Sequence, residues 1–228
     1  MIWFFLTSGL FLGWSLGAKD AANVFGTAVG SRMVRFKTAA AVASLFVILG
    51  AVVEGAGTTA TLGHLGAVNA IAGSFTVALA AGVTIAWMTR ARLPVATSQA
   101  IVGGIVGWNL FTGSPTDLEV LSRIVATWLL SPLLAAIFAI LLYLLFKRCL
   151  GRARIHMLRL DAYTRTGLII VGALGSYTLG ANNIANVMGV FVPASPFRDI
   201  QLFGIFTLHG TQQLFLLGAL AIAVGIFT

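Results

Sequence analysis

Three apolar runs, residues 39–53, 124–146 and 202–227, set the terms on which this chain can fold. They reach or approach the ~20 residues that an α-helix needs to cross the hydrocarbon of a bilayer. In that solvent every backbone polar group has to be satisfied within the chain, so helices are the expected answer. Composition agrees: 59% of residues are hydrophobic and 9% charged, whereas a soluble domain carries about a quarter charged residues. The expected fold class is an all-α integral membrane protein, multi-pass in the inner or plasma membrane. Residues 1–13 have the apolar core of a signal peptide but neither its basic start nor a cleavage site, and are read as a retained first helix.

The formal charge of +8 is carried by clusters between the apolar runs rather than by a nucleic-acid-binding face. Arg32, Arg35 and Lys37 form one cluster and Arg90 and Arg92 a second; Lys147, Arg148, Arg152, Arg154, Arg159 and Arg165 form the third. Basic residues mark the cytoplasmic side. All three clusters are therefore placed there, with residues 1–31 running inward, 38–57 outward, 67–89 inward, 93–111 outward or re-entrant, and 119–147 inward. The stretch from Arg148 to Arg159 also suits anionic lipid headgroups. Cys149 is the single cysteine, so no intrachain disulfide framework exists.

An internal repeat then constrains the architecture. Leu16-Gly17-Ala18-Lys19-Asp20-Ala21-Ala22-Asn23-Val24-Phe25-Gly26 returns as Leu179-Gly180-Ala181-Asn182-Asn183-Ile184-Ala185-Asn186-Val187-Met188-Gly189, with seven of eleven positions identical. Gly9 and Gly172 precede the two copies at the same spacing. Five elements before the basic linker oblige the second copy to run opposite to the first, the inverted-repeat plan of many secondary transporters. The expected division is a first repeat over residues 1–147, a cytoplasmic basic linker over 148–162, and a partial inverted second repeat over 163–228.

Each copy sets small residues beside Asn or Asp inside an apolar segment. Glycine permits unwinding, and an unwound helix inside the bilayer exposes amides and carbonyls that must face a cavity or a ligand. Broken helices are expected at both copies. Freed helix N-termini bind anions. Asn23 and Asn186 add amide donors, and Asp20 can hold a cation, accept from a protonated oxyanion, or pair with Lys19. Small residues that merely allow close helix packing are the bland alternative. Duplication in opposite orientation, with Lys19 and Asp20 at membrane depth, favours a binding site.

These two copies resemble the paired signatures of the PiT family of inorganic phosphate transporters, usually Gly-Ala-Asn-Asp-x-x-Asn. The first continues as Gly26-Thr27-Ala28-Val29-Gly30-Ser31, which is also family-like. Leu93-Pro94-Val95-Ala96-Thr97-Ser98-Gln99-Ala100-Ile101-Val102-Gly103-Gly104 is similar to the family's Pro-Val-Ser-Thr-Thr-His hairpin and the glycine-rich helix after it. The resemblance implies a carrier of a tetrahedral oxyanion with a re-entrant hairpin. It places substrate among Lys19, Asp20, Asn23, Thr97, Ser98, Gln99, Asn182, Asn183 and Asn186. Pro94 suits a helix start, with the hydroxyls of Thr97 and Ser98 near the N-terminus behind it.

The chain departs from that pattern in two ways. Lys19 stands where the family usually has Asn, and Asn183 where the second copy has Asp, so the site gains two units of positive charge. That puts sodium binding in doubt: the Lys19 ammonium either substitutes for a bound sodium ion or couples transport to protons, or else it only neutralises Asp20. Asp20, Lys19 and Glu54 are the candidate cation-coupling residues, with Glu54 equally suited to an interface. The other departure is that no counterpart of the hairpin follows the second copy, and the expectation is a homo-oligomer or a partner that completes the second repeat.

His209, before Gly210-Thr211-Gln212-Gln213, interrupts an apolar run, while His64 and His156 fall in expected loops. No cofactor and no metal-ligand set is expected, and no Walker loop occurs. The leading function is alternating-access transport of phosphate coupled to protons or sodium, with sulfate as the alternative substrate. A non-transporting assembly protein is a further alternative. An intramembrane enzyme using Asp20, Lys19, Ser98 and His209 lacks a nucleophile–base spacing.

Overall fold

The computed structural model describes residues 2–65, 68, 71–152, 156–202 and 206–228. It is a helical bundle in the order α1 (Ile2–Gly30), α2 (Phe36–Leu65), α3 (Ile71–Arg90), α4 (Thr97–Thr112), α5 (Leu118–Arg152), α6 (Met157–Met188), a 3₁₀ turn (Gly189–Ala194), β1 (Ile200–Leu202), β2 (Phe206–Leu208) and α7 (Gly210–Ile226). Among the described residues, four segments are long and apolar enough to cross a membrane: Phe36–Gly57, Ile71–Arg90, Leu118–Arg152 and Met157–Ala194. α1 has the length, but its motif carries Lys19 and Asp20. α5 has no fully buried residue: Val120, Leu121, Ile124 and Trp128 rest against the core and the rest of its surface is exposed.

Apolar packing gives membrane helices little net drive to associate, so close approach of backbones has to supply it. Here glycine makes that approach possible twice, in the same way. A Cβ on Gly17 would lie 2.0 Å from the Ile222 carbonyl oxygen, and one on Gly225 would lie 2.2 Å from the Trp14 oxygen and 2.8 Å from the Ala18 nitrogen. On the other side, a Cβ on Gly180 would lie 2.1 Å from the Val47 oxygen, and one on Gly50 would lie 2.0 Å from the Tyr177 oxygen and 3.1 Å from the Ala181 nitrogen. Gly17, Trp14 and Ala18 correspond to Gly180, Tyr177 and Ala181 by the spacing of the sequence repeat. One clasp, α7 on α1, is thus reproduced atom for atom by α2 on α6.

Each clasped pair runs parallel, whereas the two motif helices, α1 and α6, run antiparallel to each other. Gly172 meets Phe25 and Gly175 meets Val24, while Gly13 meets Val187 and Gly9 meets Met188 and Phe191. Leu12, Leu16, Val47, Ile184, Met188, Leu214, Phe215 and Ile222 fill the space between the four helices and are fully buried.

α3 and α4 form an antiparallel helical hairpin. α3 lies alongside α1 in the same direction: Phe75 stacks on Phe4 with centroids 5.3 Å apart, and Gly82 abuts Phe11. α4 returns along α3, with Gly104 against Val77 and Gly73 against Trp108. The chain reverses at Arg92, in the left-handed region at φ 59°, where the Leu93 amide donates to the Met88 carbonyl at 2.9 Å. This register sets Arg90 level with Lys19, so the tip stops roughly 16 Å short of the end of α1 at 1.5 Å per residue.

Arg90 and Arg92 flank the hairpin tip, set back along α1 from Arg32, Arg35 and Lys37. Two expectations are corrected. Residues 202–227 are not one span. The strands β1 and β2 pair antiparallel, Ile200 opposite Leu208 and Gln201 opposite Thr207, and α7 begins only at Gly210. Asp199 fixes that start: its carboxylate accepts from the Gly210 amide at 2.8 Å and faces His209 Nδ1 at 3.0 Å. The hydrogen bond from the Gly210 backbone N–H, and then His209, hold the Asp199 carboxyl below the usual carboxylate range. His209 is therefore a helix-cap residue rather than a kink in a span. His64, finally, lies in the last turns of α2, and His156 caps α6 by accepting from the Leu158 amide at 3.4 Å.

Candidate functional site

α1 runs unbroken through the first motif copy and α6 through the second as far as Met188. The expected unwinding is absent, and composition explains it. Ala18, Ala21, Ala22, Ala181 and Ala185 are strong helix formers, and the polar side chains satisfy one another along the helix. Asn23 Nδ2 donates to Asp20 Oδ1 at 3.1 Å; at the matched positions Asn186 Nδ2 donates to Asn183 Oδ1 at 3.1 Å. Asn183 Nδ2 in turn donates to the Leu179 carbonyl at 3.1 Å. Only the second copy abuts a change of backbone, the 3₁₀ turn beginning at Gly189.

The first copy is tied to the hairpin. Lys19 Nζ pairs with Asp20 Oδ1 at 3.0 Å and donates to the Val95 carbonyl. Two residues beyond Val95, the Thr97 hydroxyl is buried, 4% exposed, and has no hydrogen-bond partner. A buried hydroxyl left unpaired costs about 1–3 kcal/mol, so this one calls for an occupant. Thr97 also opens α4, whose N-cap residue Ala96 contributes no side-chain bond. The first amides of α4 are accordingly uncapped donors at the positive end of the helix. Ammonium, hydroxyl and helix N-terminus are all donors, the chemistry of an anion site.

The remaining candidates fall into place around this tip. Asp20 is buried and Lys19 partly so, whereas Asn23 is exposed. Asn186 is buried, Asn183 half-buried and Asn182 exposed. The antiparallel register brings Asp20 and Asn183 within about one helical turn of the same depth, while Asn23 and Asn186 stand roughly 15 Å apart along the helix axes. The inner members of the two copies therefore lie at closer depths than their asparagine ends. Ser98 is half-buried; Gln99 is exposed and lines a groove of 630 Å³ between α3 and α4 with Thr76, Gly103 and Gly107. Glu54 is exposed on α2, one turn beyond Gly50 where α2 meets Tyr177 of α6. His209 sits on the Asp199 cap, apart from Lys19 and Asp20, so the residues of the enzyme reading do not assemble.

Sequence reasoning missed three participants. The Val95 carbonyl is backbone and has no sequence signature. Ser15 lies one turn before Lys19, buried and without a partner for its hydroxyl, beside a groove of 510 Å³ lined by Phe11, Trp14, Trp87 and Arg90. Its spacing of four from Lys19 was the available signal. Tyr177, which α2 meets at Gly50 one turn before Glu54, could not be placed there before the register of α2 on α6 was known. Among the described residues no cluster of His, Cys, Asp and Glu can hold a metal ion.

The model of the Phosphate transporter family matches residues 16–164, more than half of the chain, beginning at the first motif copy and running through the hairpin. The chain belongs to this family. Members of the phosphate transporter family are carriers and not enzymes, and the chain is a multi-pass protein of the plasma membrane. It is 34% identical over 150 residues to a sodium-dependent phosphate transporter of Plasmodium falciparum, covering 59% of this chain and 22% of that protein. A Pyrococcus horikoshii protein named as a candidate phosphate permease is 33% identical over 159 residues, covering 64% of this chain and 39% of its own length. The same designation belongs to a Chlamydia muridarum protein that is 28% identical over 219 residues, 90% of this chain and 51% of the relative. The chain thus spans between about a fifth and a half of the length of these relatives. A solved structure titled the sodium-dependent phosphate transporter shares the fold with a TM-score of 0.73 at 20% identity, over 99% of this chain and 74% of that one.

Proposed function

We propose that this chain carries an inorganic tetrahedral oxyanion, phosphate in the first place, across the membrane by alternating access. The observation that carries the reading is the unpaired, buried Thr97 hydroxyl at the uncapped start of α4, with the Lys19 ammonium bonded two residues away at Val95. Three kinds of donor around one hairpin tip suit an anion that has shed its water. Family membership and the names of the relatives point to phosphate. Asp20 supports phosphate over sulfate, because a carboxylate accepts from the proton that hydrogenphosphate keeps and sulfate lacks. In this reading Lys19, Asp20, Thr97, Ser98 and Asn183 line the central site, and Asn23, Gln99, Asn182 and Asn186 line its approaches. The repeat over residues 1–147 and 163–228 then provides the two halves that rock against each other.

Thr97→Val keeps the shape and removes the hydroxyl. Uptake of radiolabelled phosphate into proteoliposomes is expected to fall at least about tenfold, the loss of a hydrogen bond to a charged group. The melting temperature is expected to hold or rise, since the buried hydroxyl has no partner in the protein. Full uptake by Thr97→Val, or no uptake of phosphate or sulfate by the unaltered chain, contradicts the proposal.

A further inference from the structure

A carboxylate as buried as Asp20 requires a compensating cation, because an isolated charge of that kind is far too costly away from water. The chain supplies the cation itself. Lys19 Nζ is held by the Asp20 carboxylate at 3.0 Å and by the Val95 carbonyl, with the lysine side chain 21% exposed and the aspartate 10%. A carboxylate and a backbone carbonyl, drawn from two separate elements, are the oxygen ligands that a small hard cation takes at such places. The matched position of the second copy needs no cation. Asn182 and Asn183 stand where Lys19 and Asp20 stand, both neutral, and the amide of Asn183 is satisfied by Asn186 and the Leu179 carbonyl. Each copy is thus neutral by a different route, one by a paired plus and minus charge and the other by amides alone.

We infer that the Lys19 ammonium is a tethered replacement for a bound coupling cation, joining the first motif copy to the hairpin tip so that this site works without free sodium. The anion-carrying part of this inference rests on the reading under Proposed function; the cation part stands on the ion pair alone. An ammonium has three protons, of which Asp20 and Val95 take two, and the third is free to meet an anion at Thr97. Being covalently attached, this cation cannot be left behind on either side of the membrane, so it adds no driving force from a sodium gradient.

The test compares thermal unfolding of the purified chain in detergent, in sodium chloride against choline chloride at equal ionic strength. The unaltered chain is expected to melt at the same temperature in both. Lys19→Ala exposes the Asp20 carboxylate and the Val95 carbonyl to an incoming ion, and sodium is expected to raise its melting temperature by about 3 °C over choline. Adding Asp20→Asn to Lys19→Ala is expected to abolish that response. Stabilisation of the unaltered chain by sodium overturns the inference, as does indifference of Lys19→Ala or a sodium response that persists in the double variant. If Lys19→Ala does not fold, the unaltered chain still decides, because a strict sodium requirement for its stability or its uptake is incompatible with a resident cation. A chain that carries no anion would leave these melting temperatures as they are, so failure of the transport reading is read separately.

Discussion

Gly17→Ala and Gly180→Ala are each expected to destabilise the fold by several kcal/mol, and by similar amounts. The new Cβ would lie 2.0 Å from the Ile222 carbonyl oxygen in one case and 2.1 Å from that of Val47 in the other. Neither obstacle is a side chain that can rotate away, so the helices must separate by more than about 1 Å and forfeit the dispersion contacts along the seam. Overpacking of this kind costs about 1–3 kcal/mol in a soluble core and more where backbone is the obstacle. Gly26→Ala is the control. It belongs to the same repeated motif, yet a Cβ there meets nothing within 4 Å, and the gain in helix propensity makes the change neutral or favourable by up to about 1 kcal/mol. Reversible unfolding in detergent measures all three. Equal tolerance at Gly17 and Gly26 would show that the clasp does not hold the bundle together.

Asp20→Ala is expected to cost about 3–5 kcal/mol, the penalty for leaving one member of a buried ion pair alone. Lys19 would then keep only the Val95 carbonyl, and Asn23 would lose its acceptor. Replacing both charges, as in Lys19→Met with Asp20→Leu, is expected to restore most of the stability while abolishing transport, because a matched apolar pair carries no desolvation cost. Asn183→Ala, the same position in the second copy, removes only neutral hydrogen bonds and is expected to cost about 1 kcal/mol. Denaturant titration of the four proteins separates these outcomes. An effect at Asp20 no larger than that at Asn183 would mean the ion pair is solvated and contributes little.

Much of this was legible in the residues. Apolar runs located α2 and α5, and the repeated motif identified α1 and α6 as a pair. Leu93 to Gly104 announced the start of α4 through Pro94 and the hydroxyls behind it. What the sequence hid was geometry that no residue type encodes. Glycines in a motif read as breakers, yet Gly17 and Gly180 turned out to be contact points inside continuous helices, because alanine propensity and the Asn–Asp and Asn–Asn bonds kept those helices whole. Asn23 and Asn186, the most conspicuous identities of the repeat, lie at different depths, a consequence of antiparallel register that spacing alone cannot supply. The run over residues 202–227 read as one span because hydropathy cannot distinguish a short strand pair from a helix, and Asp199, outside the run, decides where α7 starts. At the hairpin tip, Lys19 was visible as a departure, but its second partner is a carbonyl, and carbonyls are the same in every residue.

The central claim is that an anion is held at the hairpin tip, where α1 meets the start of α4. Determining the structure of the chain in saturating phosphate tests it most directly. The anion is expected within hydrogen-bond distance of the Thr97 hydroxyl, the first amides of α4 and Lys19 Nζ. Phosphate bound only at the basic face around Arg32, Arg35 and Lys37, with the tip empty and the Thr97 hydroxyl donating to the protein, would contradict it.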